Sequence, residues 1–184
     1  RLARVGALLA TSLDPAVVLE EVAREAPGLL GADSAVIRLL DRDELVVRAA
    51  SGRGTERLLG TSAASTQGIS GAVAQARAPV TLTDAEQQQR LARGDLLLEP
   101  GVAAACVAVP LVAHGGGLYG VLAVYSSAPR AWRDDEVPGR LADRLDRVGA
   151  LLLRSRAPHR GGRRARPTRG GSPVRAIPDA RHAA

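Results

Sequence analysis

The stretch AAACVAVPLVAHGGGLYGVLAVYS, residues 103 to 126, decides the fold. Two runs of small, aliphatic and β-branched residues, 103–113 and 117–126, flank His114-Gly115-Gly116-Gly117, and the glycines relax the turn an antiparallel hairpin needs. The longest apolar run, Gly101 to Ala113, has 13 residues and contains Pro110, well short of the roughly 20 that a membrane helix requires. Hence the pair is read as two strands of a sheet, and no membrane span is expected.

Upstream, SAVIRLL (34–40) and ELVVRAAS (44–51) are β-rich runs parted by Asp41-Arg42-Asp43, which fits a second tight hairpin. Between the hairpins, residues 52–67 lack periodicity and read as a long loop. GISGAVAQARAP (68–79) reads as a short helix launched by Ser70, VTLTD (80–84) as a short strand, and 85–100 as a second long connection. The chain opens on helical spacing, Leu2, Val5, Leu8 and Leu9, and Asp14-Pro15 then caps a helix expected to break at Pro27-Gly28. A last helix carries Val137, Leu141, Leu145, Val148 and Leu152 at three- and four-residue steps, with Asp134-Asp135-Glu136 at its head, where the helix dipole favours acids.

Charge divides the chain. All 25 basic residues are Arg, a bias that fits a GC-rich genome better than any one binding function. Residues 1–156 hold 18 Arg against 18 Asp and Glu, whereas 157–184 hold 7 Arg against Asp179 alone, so the net charge of +6 belongs to the tail. That tail has only Val174 and Ile177 as large apolar residues, too few to offset the entropy of ordering it, and disorder is expected there. It lacks aromatic residues to stack on bases, so any polyanion binding there would be electrostatic and salt-sensitive, and nucleic acid is not the expected partner. We expect one domain over 1–156 and a linker or out-of-frame tail over 157–184.

Candidate chemistry is sparse. Cys106 lies among Ala and Val and reads as a buried small hydrophobe, and one cysteine excludes an internal disulfide. His114, His159 and His182 have no ligand spacing with a carboxylate, so neither haem nor metal is expected, nor any other cofactor. With no nucleophile, base or phosphate loop to name, the chain is not expected to be an enzyme.

The words GLLGADSAVIRLLD, VVRAASG, GISGAVAQARAPVTLTD, VAVPLVAHGGGLYGVLAVYS and RAWRDDEV, in that order over most of the chain, resemble a GAF domain. The resemblance implies an α+β fold: an antiparallel sheet of five or six strands, terminal helices on one face, and loops over a ligand pocket on the other. Matched to cyclic-nucleotide-binding relatives, it implies that Ala103 and Ala105 on one strand and Ala123 and Tyr125 on the next face the pocket. Ser51 and Asp84, at strand ends, would stand at its rim. Many members carry Arg-Ser ahead of the VPL word where this chain has Ala104-Ala105, and the Asn-Lys-Phe-Asp-Glu set of cyclic-nucleotide phosphodiesterases is missing. A small or mostly apolar ligand, or none, is therefore expected.

As a function the resemblance implies a cytoplasmic bacterial sensor module that dimerises through its terminal helices. Those helices would pass ligand state to an output domain outside this chain: a histidine kinase, diguanylate cyclase or transcriptional regulator. The start at Arg1 without Met fits a piece of a longer protein. Two other readings stand beside it: a purely structural dimerisation module, and a nucleic-acid-associated regulator acting through the basic tail.

Overall fold

The structure, a computed structural model, describes residues 14–95, 97–98, 103–113, 115–133 and 136–155. The expected opening helix before residue 14, the 157–184 tail, His114 and Asp134-Asp135 lie outside the described residues.

Helix α1 (Pro15–Leu30) starts where Asp14 Oδ1 accepts from the Ala16 amide at 3.0 Å, with Pro15 in the first turn. It does not break at Pro27-Gly28. Pro27 lies in the last turn, and the helix ends at Gly31, whose φ of 60° and amide bond to the Pro27 carbonyl close it in a left-handed cap.

Strands β1 (Ser34–Asp41) and β2 (Glu44–Gly52) form the first hairpin. The segment read as loop contains a short strand, β3 (Ser62–Ala64), which pairs with Glu44 to Val46 through backbone bonds that composition does not signal. Then come α2 (Gly68–Ala76), β4 (Val80–Leu82), a single turn α3 (Gln89–Ala92), β5 (Ala105–Val112), β6 (Leu118–Ser126) and α4 (Glu136–Ser155). Ser70 does not launch α2. The N-cap is Gln67, and Ser70 lies inside the helix.

All six strands join one antiparallel sheet in the order β3-β2-β1-β6-β5-β4. The expected α+β architecture is therefore present with six strands. At the central seam Gly120 faces Leu39, and a Cβ at 120 would collide with the Arg38 carbonyl, so only glycine lets β1 and β6 approach there.

Each sheet face has its own core. Helices α1 and α4 cover one face, where Val22, Leu30, Ile37, Val107, Leu122 and Leu141 pack together. The apolar stripe expected on the last helix is buried at Val137, Leu141, Val148 and Leu152, with Leu145 packed beside them. Helix α2 and the flanking loops cover the other face over Val36, Leu45, Ile69, Leu82, Cys106 and Tyr125.

Two face assignments are corrected by the strand registers. On β5, Cys106 pairs with Tyr125 and Ala108 with Ala123, so these point to the loop-covered face, and Ala105 and Val107 point to the helices. Alternation counted from Ala103 fails because the chain bends at Ala104 before the strand begins. On β2 the register slips between Ile37↔Ala49 and Arg38↔Val47, leaving Arg48 as a bulge residue. Beyond that bulge the faces exchange: Ala49 joins the helix-side core, and Ser51, paired with Ala35, shares its face rather than a pocket rim.

Candidate functional site

Arg38 stands in the middle of β1, flanked in sequence by Ile37 and Leu39, and by period-two alternation its side chain enters the loop-covered face. Only 7% of it is exposed. A charge so deep in a sheet needs partners, and two are present. Nη1 donates to Tyr125 Oη at 3.0 Å, and Nη2 lies 3.5 Å from Asp95 Oδ2. The Tyr125 hydroxyl donates in turn to Asp95 Oδ2 at 2.8 Å, closing a triangle.

Asp95 comes from the connection after α3. Its Oδ1 accepts from the Leu97 amide at 3.1 Å, and its backbone amide bonds to the Ala92 carbonyl. Loop and sheet are thus joined through buried polar atoms instead of apolar contact alone. Burial, the largest influence on the Arg38 guanidinium, disfavours its charge, but Tyr125 and Asp95 together outweigh it and hold its pKa above the usual arginine value. Burial likewise drives the Tyr125 phenol well above its ordinary range despite the opposing pull of Arg38, so its hydroxyl keeps its proton to donate. Cys106, opposite Tyr125, is fully buried, and that burial, with Asp95 adding to it, raises its thiol pKa well above the usual value.

A cavity of about 50 Å³, counted as space open to the centres of water molecules, lies against this triangle. Arg38 and Asp95 line it together with Ile69 and Ser70 of α2, and Leu45, Val47 and Leu58 supply apolar wall. Ser70 is 7% exposed, and its Oγ has no hydrogen-bond partner. A buried hydroxyl left unpaired costs on the order of 1–3 kcal/mol. Gly68 is in the lining of both this cavity and a surface groove of about 390 Å³ bordered by Gln75, Arg90 and Leu91.

The residues expected at the site distribute unevenly. Tyr125 belongs to the triangle, and Ala123 and Ala103 belong to the apolar core on that face. Ala105 and Ser51 face the helices. Asp84 acts as a turn cap: its Oδ1 accepts from the Glu86 and Gln87 amides at 2.9 and 3.2 Å, and it does not line the cavity. Polar residues do line the cavity: Arg38, Ser70 and Asp95 come to it from outside the Ala104-Ala105 position. An arginine within the apolar run SAVIRLL is the sequence signal that marks this site.

On the opposite face, three donors converge on the end of α1. Trp132 Nε1, Arg130 Nη1 and Arg140 Nη1 reach the carbonyls of Leu30, Gly31 and Leu29 at 3.2, 2.6 and 3.0 Å. Arg144 and Arg147 of α4 pair with Glu25 and Glu21 of α1 at 2.9 and 2.6 Å. The two helices are therefore coupled along their length by charge as well as by their shared core. Among the described residues no cluster of His, Cys, Asp or Glu could hold a metal ion, and no helix is long and apolar enough to cross a membrane.

An antiparallel six-stranded sheet carries paired helices on one face and, on the other, α2 and loops over a cavity lined by both apolar and polar residues. The sequence model of the GAF domain matches residues 14–138, and the chain belongs to the GAF family, whose members are regulatory domains that bind small molecules. Three solved structures illustrate the likeness. The GAF domain of an Acinetobacter phosphoenolpyruvate-protein phosphotransferase superposes with a TM-score of 0.68 at 19% identity, covering 85% of this chain and 93% of that one. The phycocyanobilin-bound GAF domain of a cyanobacterial phytochrome gives 0.65 at 19% identity, covering 87% and 96%. A free methionine-R-sulfoxide reductase from Neisseria meningitidis, in complex with its substrate, gives 0.62 at 22% identity, covering 84% and 87%. No curated protein sequence matches the chain.

Proposed function

We propose that this GAF domain is the sensory part of a cytoplasmic signalling protein and that it holds a small molecule in the cavity beside Arg38, Ser70 and Asp95. The observation that carries this reading is a cavity lined by the buried Arg38 and Asp95, with Ser70, whose buried hydroxyl has no partner, also in its lining. Solved relatives in the same fold hold phycocyanobilin or a sulfoxide substrate, which supports the use of the scaffold for small ligands. Of the residues that the family resemblance suggested, Tyr125 is the one we retain in contact with the ligand network.

Ligand state would leave through the sheet. Arg38 on β1 and Tyr125 on β6 are anchored in strands whose other face carries α1 and α4, so a shift in the triangle reaches both helices. We infer that these helices extend the signal to an output domain, with a second copy of the chain as partner in a dimer. The module acts by binding and catalyses nothing in this reading.

A thermal-shift and NMR screen of small metabolites against the chain tests it. Hits that raise the melting temperature and move the amides of residues 67–71 and 95–98 are expected; a screen in which no compound perturbs those amides would overturn the proposal. Sedimentation at high concentration tests the dimer, and a strict monomer would remove the second copy from the relay.

A further inference from the structure

We infer that the cavity takes a short carboxylate, and that Asp95 is a tethered stand-in for it on Arg38. This inference rests on the cavity being the ligand site.

Arg38 is fixed in the centre of the sheet, bounded by β2 and β6, and cannot leave its place. Asp95 belongs to a connection between short elements and reaches the guanidinium through one contact of 3.5 Å. Charge-assisted hydrogen bonds between guanidinium and carboxylate settle at about 2.7–2.9 Å and are often paired in a fork. The Asp95 contact is neither short nor forked. The guanidinium is thus neutralised by a partner that fits it poorly.

Exchange keeps the charge in balance. A neutral ligand that displaced Asp95 would strand a buried cation, which costs several kcal/mol. An incoming carboxylate would replace one anion with another, accept from Arg38, and offer an acceptor to the unpaired Ser70 hydroxyl once that side chain turns into the cavity. Asp95 would turn out to water, where a carboxylate is well solvated. The cavity, about 50 Å³ counted as space for the centres of water molecules, has room for a small ligand group. The groove beyond Gly68 carries Arg90 and would receive any longer substituent.

The test is titration of the full chain with sodium acetate and propionate, against acetamide and propionamide as neutral isosteres and sodium chloride as ionic-strength control. Amide shifts at Ser70 and Leu97 are followed by NMR. Saturable shifts with the carboxylates and none with the amides are expected. Asp95→Asn, which weakens the competitor, should tighten acetate roughly tenfold, because the bound form no longer has to displace a charged rival. Ser70→Ala, which removes a hydroxyl with no partner in the fold, should keep the melting temperature and weaken acetate several-fold. Neutral amides binding at the same residues as tightly as acetate, or Asp95→Asn weakening acetate in a folded protein, would overturn the carboxylate assignment while leaving the cavity as a site. If neither probe moves those residues but other metabolites do, the carboxylate inference alone fails; if no compound does, the site reading fails with it.

Discussion

Tyr125 and Asp95 are joined by a hydrogen bond of 2.8 Å between a strand at the sheet centre and a loop thirty residues earlier in the chain. The phenol donates and the carboxylate accepts, and the same oxygen of Tyr125 accepts from Arg38. One hydroxyl therefore serves both members of a buried ion pair. Tyr125→Phe removes it with little change of volume and leaves Asp95 with fewer donors. We expect a loss of about 1.5–3 kcal/mol in urea unfolding, the range for hydrogen bonds to charged groups, with loosened protection of the Leu97 amide. An unfolding free energy within experimental error of the parent would show that the triangle contributes no net stability.

Gly120→Ala tests the central seam. The added Cβ meets the Arg38 carbonyl and lies 2.9 Å from the Leu39 Cα, both backbone atoms that can yield only if β1 and β6 separate. A loss of about 3 kcal/mol or more is expected, visible as a large fall in melting temperature. Gly117→Ala is the control, since nothing lies within 4 Å of its Cβ, and it should change stability by less than about 0.5 kcal/mol.

Cys106 should resist alkylation. The thiol is fully buried and its pKa is raised, so at pH 8 both access and thiolate fraction are low. Iodoacetamide labelling followed by mass spectrometry should be far slower in the native protein than in urea. Equal rates would mean that the loop-covered face opens readily.

Asp33 ties the start of β1 to the end of β6 by accepting from the Ser127 amide at 2.6 Å, and this bond is the largest cause of its lowered pKa. The unfolded value is 3.8 and the folded value lies below it, so between them the unfolded chain binds more protons. The stabilisation is fully present above pH 3.8 and is lost as pH falls through the folded pKa. Asp33→Asn should therefore lower stability at neutral pH and reduce the slope of stability against pH in the acid range, as read by urea unfolding at a series of pH values. A parallel pH profile for variant and parent would contradict this.

Much of the fold was legible because it is written in periodicity. The two long hairpins, the Asp14 cap and the buried stripe of α4 each follow from apolar spacing or a capping residue. Strand β3 was not, because Ser62-Ala63-Ala64 pairs through its backbone alone. The extension of α1 past Pro27 also escaped, since a proline in the last turn does not end a helix that Gly31 then caps. The site was less legible for a different reason. Its polar groups come from three distant stretches, and a single bulge at Arg48 exchanges the faces on which Ala49 and Ser51 would otherwise lie. Alternation counted from Ala103 carried Ala105 to the wrong side, and the strand-end position that the family resemblance gave Ser51 took no account of the bulge, whereas Tyr125 lies on the loop-covered face. Arg38 was visible in the sequence as a charge inside an apolar strand, but its partner Asp95 could be found only through tertiary packing.

The seam between β1 and β6 also sets the timing of assembly on the ribosome. β1 leaves the exit tunnel early and finds β2 within a few residues, yet its other edge stays unpaired until β6 has been made, about 85 residues later. At ordinary rates of synthesis that interval is on the order of ten seconds. For that period the nascent chain presents the open edge of a largely apolar strand to every neighbour it meets, and the completed hairpin of 105–126 is what withdraws it.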